Sequence, residues 1–279
     1  MDNRDAVSAF LRSRREKITP EQAGLPVYGR RRVAGLRRGE VATLAGVSVE
    51  YYTRLERGNL KGVSASVLDA LAHALRLDDT ERMYLHDLAR AAGPAPVARP
   101  RTRAVRPAVR PSVTRIVEGM PELPASVMNN RLDVPAANRL CRALYSEMYA
   151  DPACRENVAR FAFLHPAARR FYVDWERMAR FAVGALRIEA GRNPHDRELT
   201  QLVGELSTRS DAFRVMRGSQ DVHVFRESTK PLNHPLVGDL ELAVRRRLLE
   251  WPGRQGSSKG AATRRGDARR WCGSSGWPA

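Results

Sequence analysis

"LRRGEVATLAGVSVEYYTRLERG", residues 36–58, holds two short helical patterns joined by "GVS". Ser48 stands where a helix N-cap belongs, and Gly58 where a helix stops. At helical spacing Val47, Tyr52 and Leu55 face the first pattern, where Val41, Ala42 and Leu44 meet them. Ala42 is small, which lets the two helices cross closely. This is the helix-turn-helix arrangement, whose turn often carries a glycine. The opposite face presents Val49, Glu50, Tyr51, Thr53, Arg54 and Arg57. On these residues alone two readings stay open. The face is the solvated side of an amphipathic helix, or it belongs to a helix lying in the major groove of DNA, which needs hydrogen-bonding and apolar tips near its N-terminus.

The flanking sequence predicts an all-helical domain over residues 1–92. "AVSAFLRSRREKI" (6–18) sets Val7, Phe10, Leu11 and Ile18 at helical spacing before Pro20. "SASVLDALAHALRL" (64–77) opens on Ser64 or Ser66 and lines up Val67, Leu68, Leu71, Ala74 and Leu75. "DTERMYLHDLARAAG" (79–93) adds Met83, Leu85 and Leu88. Five short helices fit a compact bundle. "GPAPVARPRTRAVRPAVRP" (93–111) has no apolar period and reads as an extended basic linker.

A second unit, 112–242, is mixed. Helices are expected at 136–149, 156–164, 165–191 and 196–210. "DVHVFRESTKPLNHPLVGDLEL" (221–242) alternates at Val222, Val224 and Phe225, then at Val237, Leu240 and Leu242, which predicts a hairpin. "PASVMNNRLDVP" (124–135) could supply another strand. The fold class expected overall is α+β.

The chain has 279 residues and a formal net charge of +17, which suggests a polyanionic partner. Residues 99–118 carry a net +5 and residues 243–279 a net +7, whereas residues 119–242 carry only +1. The linker and the ends are therefore the parts suited electrostatically to nucleic acid. No apolar run approaches the roughly 18–20 residues that span a bilayer, and "MDNRDAVSAF" lacks a signal-peptide core. A cytoplasmic protein with no membrane association is expected.

Cys141, Cys154 and Cys272 have no CxxC pairing and read as buried or incidental thiols. Among the six histidines, His73, His165, His195, His223 and His234 show no HExxH or HxH spacing. No GxSxG, P-loop or GxGxxG occurs. The pattern predicts no catalytic residues, no metal and no cofactor.

The helix-turn-helix block followed by "SVLDALAHALRL" resembles phage-repressor-like regulators of the Xre family. The longer "EKITPEQAGLPVYGRRRVAGLRRGEVATLAGVSVEYYTRLERG" more closely resembles the MmyB-like transcriptional regulators of actinobacteria. Their second domain is matched by "FLHPAARRFYVDWERMARFAVGALRIEAGRNPHDRELTQLVGELSTRSDAFRVM" and "STKPLNHPLVGDLEL". The resemblance covers roughly residues 8 to 242. It implies a lambda-repressor-like DNA-binding domain, then a PAS-like domain that binds a small apolar, fatty-acid-like ligand. It resolves the opening question in favour of DNA.

By that resemblance Arg38 takes a phosphate-contacting place, and Val49, Glu50 and Arg54 take the base-reading places. Arg54 could grip a guanine edge, Glu50 accept from a cytosine amino group and Val49 touch a thymine methyl. Tyr51, Thr53, Arg57 and Lys61 suit the DNA backbone. Glu56 suits an ion pair with Arg14 or Arg15. Arg30, Arg31 and Arg32 lie in a lengthened connection that follows a phosphate strand, enters the minor groove, or is a solvated basic loop. Double-stranded DNA is the expected partner. A homodimer is expected because one recognition helix reads too few base pairs for genomic specificity.

In the second unit Trp175, Met178, Ala182, Ala185 and Leu186 form one stripe, read as core or as one wall of an apolar ligand cavity. Arg187 and Asp174 would then be the fixed polar groups facing a carboxylate-bearing ligand. Arg217 stands where the family usually has tryptophan. A rival reading makes the protein a DNA-binding antitoxin or architectural protein whose second domain binds a protein partner. Beyond "HPLVGDLEL" the family resemblance stops, and residues 243–279 read as a basic tail, natural or from a shifted reading frame. From about Trp251 the tail is expected to be disordered, since it cannot bury enough apolar surface to offset ordering entropy.

Overall fold

In the computed structural model, which describes residues 3–26, 33, 35–93, 109–219 and 227–245, five helices build the first domain. They are α1 (Asn3–Lys17), α2 (Arg38–Leu44), α3 (Val49–Glu56), α4 (Ala65–Ala74) and α5 (Asp79–Ala91). Local chemistry fixes their ends. Ser48 Oγ accepts the Tyr51 N–H at 3.1 Å and Ser64 Oγ accepts the Val67 N–H at 3.4 Å. Asp78 and Glu81 cap α5 reciprocally, each side chain accepting the other's backbone N–H at 2.8 and 3.1 Å. Val7, Phe10, Leu11, Leu36, Val41, Tyr52, Leu55, Leu71, Leu85 and Leu88 fill the core.

Two glycines permit this packing. Gly46, in the turn between α2 and α3, has φ +65°. Gly58, after α3, has φ +91°, and a Cβ there would stand 2.4 Å from the Arg4 carbonyl oxygen.

The second domain runs α6 (Pro111–Glu118), β1 (Ser126–Val127), β2 (Ala136–Ala137), α7 (Arg139–Leu144), α8 (Ser146–Ala150), a 3-10 turn (Pro152–Cys154), α9 (Val158–Leu164), α10 (Ala168–Phe171), α11 (Trp175–Arg192), α12 (Arg197–Arg209), α13 (Asp211–Gly218), β3 (Glu227–His234) and β4 (Gly238–Arg245). β1 pairs antiparallel with β2, and β3 with β4, where Leu232 faces Leu240 across the ladder. An all-helical first domain and a mostly helical second domain with two small sheets make the chain α+β. No helix of the described residues is long and apolar enough to cross a membrane.

Several elements depart from expectation. The helix expected from residue 136 begins at Arg139, because Asn138 Oδ1 caps the Cys141 N–H at 2.8 Å while Ala136 and Ala137 pair with β1. The helix expected over 165–191 is broken after α10. Tyr172 there bridges to Leu232 of β3, and Asp174 restarts the helix by accepting the Arg177 N–H at 3.0 Å. Val237, expected to alternate inward with Leu240 and Leu242, sits in the β3–β4 turn and is 66% exposed. The earlier half of that alternation, Val222 to Phe225, lies outside the described residues, as do residues 94–108 of the linker and 246–279 of the tail. The expected disorder of the tail therefore also falls outside them.

Candidate functional site

Helix α3 carries two faces, and the core decides which is free. Tyr52 and Leu55 are fully buried, with Val41 and Ala42 of α2 equally enclosed. Val49, Glu50, Thr53, Arg54 and Arg57 turn the other way and line one depression of about 490 Å³ together with Asn59. Of the face predicted from residues 46–58, all but Tyr51 line this depression. Arg54 is exposed, and its guanidinium lies 5.1 Å above the Tyr51 ring. Tyr51 is half-buried and packs on the core, so it supports Arg54 from beneath. Asn59 escaped the sequence reading because it follows the helix stop. Its backbone N–H returns to the Arg54 carbonyl at 3.3 Å. Lys61 is exposed just beyond it.

Behind this face lies a buried ionic knot. Glu56 is 3% exposed; its Oε1 accepts Arg15 Nε at 2.6 Å and its Oε2 accepts Arg38 Nε. Arg15 also donates to the Leu36 carbonyl at 2.9 Å, which ties α1 to the entry of α2. Arg14, the other candidate partner of Glu56, instead pairs with Glu81 at 2.9 Å. Arg38 therefore has a positioning contact inside the fold, while its side chain stays 52% exposed at the start of α2. Arg30, Arg31 and Arg32 lie outside the described residues.

In the second domain, Ala182 is fully buried and Met178 half-buried against the core. Trp175 donates its indole N–H to the Ala162 carbonyl at 2.8 Å, and the Arg169 guanidinium lies 3.9 Å above its ring. Asp174 is the α11 cap. Arg187 is buried and donates to the Arg217 carbonyl of α13. These polar groups are engaged within the protein.

Another set of polar groups gathers around Tyr172. Lys230 Nζ donates to Tyr145 Oη at 2.8 Å and lies 4.6 Å from the centre of the Tyr172 ring. The Tyr172 and Tyr149 hydroxyls are buried with no hydrogen-bond partner among the described residues. Burial pushes the Tyr172 hydroxyl well above its ordinary pKa and the Tyr149 hydroxyl up to about 12. Phe161 and Phe171 stand edge-on to the Tyr172 ring, with centres 5.8 and 5.0 Å away. Sequence periodicity missed this cluster because its members come from α8, α9, α10, β3 and the segments beside them. A shallow depression of about 310 Å³ opens next to it, lined by Glu147, Arg170, Phe171, Asn233 and Pro235. Among the described residues no group of three His, Cys, Asp or Glu could hold a metal ion.

Comparison with known families bears on both domains. A profile of the MmyB-like transcription regulator ligand binding domain matches residues 109–258, which carries the match past residue 242, where the resemblance was expected to stop. A helix-turn-helix domain profile matches residues 6–85. No curated protein matches the chain.

Proposed function

The chain belongs to the MmyB-like transcription regulators, and from that premise we propose that it reads a specific DNA sequence and that a small apolar, fatty-acid-like ligand in the second domain sets its grip. The observation that carries the reading is the outer face of α3, where Val49, Glu50, Thr53, Arg54 and Arg57 lie together in one depression on a helix anchored from behind. A helix presenting such tips fits the major groove. Arg54 takes a guanine edge through two parallel N–H donors, Glu50 a cytosine amino group and Val49 a thymine methyl. Tyr51, Thr53, Arg57 and Lys61 hold the backbone, which gives register and affinity rather than sequence. Arg38 adds a phosphate contact at the start of α2. The protein works as a homodimer on two half-sites, in the cytoplasm where chromosomal DNA lies.

For the ligand, the stripe of Trp175, Met178 and Ala182 serves as apolar wall. The polar end falls to Lys230 with the Tyr172 and Tyr149 hydroxyls, which have no hydrogen-bond partner among the described residues, rather than to Arg187, which the Arg217 carbonyl already engages. Selection of bound DNA from a random pool, followed by release tests with a lipid extract, decides the matter. A single recurring motif and release by an extracted lipid are expected. Recovery of unrelated sequences would overturn the DNA-reading half, and indifference to every lipid the sensing half.

A further inference from the structure

One helix belongs to both hydrophobic cores. Phe181, Ala182 and Leu186 of α11 are buried in the core of the second domain, whereas Ile188, two residues on, packs against the core of the first. Gly191 then lies against α5. A Cβ on it would stand 2.7 Å from Tyr84 Cε2 and 3.3 Å from Leu88 Cδ2, so only a residue without a side chain allows this approach. Asp87, 7% exposed, accepts Arg192 Nε at 2.6 Å from across the junction and Arg90 Nη1 at 2.7 Å from its own helix. Burial pushes the Tyr84 hydroxyl up to about 12, against an opposing pull from Arg187 and Arg217.

Contacts continue inward from Tyr84. Its ring meets Phe10 of α1 edge-on, with centres 5.1 Å apart. Five residues along α1, Arg15 holds both Glu56 of the recognition helix and the Leu36 carbonyl ahead of α2. A continuous series of buried contacts thus joins the far end of α11 to α3. An 18-residue helix is a rod of about 27 Å. Close-packed interiors pass a displacement on rather than absorb it.

We propose that the junction of α5 with α11 is the device through which the second domain sets the pose of the recognition helix, with Gly191 on Tyr84 as its bearing and Asp87–Arg192 as its clasp. This rests on the reading of the chain as a ligand-modulated DNA binder. When a ligand shifts α11, the bearing moves Tyr84, and α1 carries that movement to Glu56.

The test uses the full chain and DNA selected by the unaltered protein from a random pool. Gly191→Ala wedges the bearing and Arg192→Gln opens the clasp, and neither residue lies on the DNA-facing side of α3. Both variants are expected to change affinity for the selected DNA by about fivefold or more, with the selected motif and the salt dependence unchanged. If Gly191→Ala does not fold, Arg192→Gln alone decides. Folded variants that bind like the unaltered protein would overturn the junction as the link while leaving DNA reading intact. An unaltered protein that selects no sequence would overturn the underlying reading and the junction with it.

Discussion

Arg15 Nε stands 2.6 Å from Glu56 Oε1, and this pair joins α1 to the recognition helix with side chains only 10% and 3% exposed. A buried pair contributes little when intact compared with two apolar residues, but losing one partner strands a charge. Glu56→Ala leaves both Arg15 and Arg38 without their carboxylate. It is expected to destabilise the first domain by about 3–5 kcal/mol, read from urea unfolding. A loss under about 0.5 kcal/mol would mean the arginines find water or other partners.

On the proposed reading, base contacts and backbone contacts fall to different residues of α3. Arg54→Ala is expected to lose about 1–3 kcal/mol on the preferred DNA and to relax one base position. Arg57→Ala is expected to weaken all sequences alike and to lower the salt slope by about 1. Binding titrations over a range of salt, on selected and scrambled DNA, distinguish the two. A selected motif that survives Arg54→Ala unchanged would place the reading face elsewhere.

The Tyr172 hydroxyl is buried without a partner among the described residues. An unsatisfied polar group of this kind costs about 1–3 kcal/mol. Tyr172→Phe keeps the ring and its contacts, so the ligand-free protein is expected to gain stability in denaturant, with its m-value unchanged. Weaker binding of the lipid identified in the release tests should accompany the gain if the hydroxyl serves the proposed ligand. Destabilisation instead would show that the hydroxyl is satisfied in solution.

Acid sensitivity has a local source between α4 and α5. Asp69 accepts His86 Nε2 at 2.9 Å and Arg82 Nε at 3.1 Å, and these partners, His86 first, hold its carboxyl below the usual range. A depressed folded value means that the stabilisation is present above the unfolded carboxylate pKa of about 4 and fades as pH falls through the lower folded value. Asp69→Asn is expected to lower the melting temperature at pH 7 and to flatten the acid side of its pH profile. Parallel profiles for the two proteins would rule out this contribution.

The recognition helix was legible because everything that defines it is local. Ser48, the spacing of Val47, Tyr52 and Leu55, and Gly58 all fall within residues 46–58, and its free face follows from that register. The division of 165–191 into α10 and α11 was not legible, since the break is held by Tyr172 pairing with Leu232, sixty residues on. The strand offered by 124–135 is met by β1, whereas β2, two residues at the start of an expected helix, leaves no alternation to register. Helix α13 does carry a local signal, Ser210 Oγ capping the Phe213 N–H at 3.2 Å, which the reading of 196–210 as one helix absorbed. In the first site, the sharing of Glu56 between Arg15 and Arg38 depends on how three helices meet. In the second, Lys230 finds Tyr145 across eighty-five positions.

The contact of Gly191 with Tyr84 also bears on how such regulators can be recombined. A chimera cut within the basic linker would separate two halves whose surfaces have been shaped to each other. The donor of the DNA-binding half would bring Tyr84, Asp87 and Leu88, and the donor of the other half would need a glycine and an arginine at matching places on its own α11. A new partner carrying even alanine in place of Gly191 would meet a ring 2.7 Å from its Cβ. On the proposed reading, exchange of specificities between such proteins is therefore better made by replacing the outer face of α3 within an intact chain, leaving Tyr52, Leu55 and Glu56 in place.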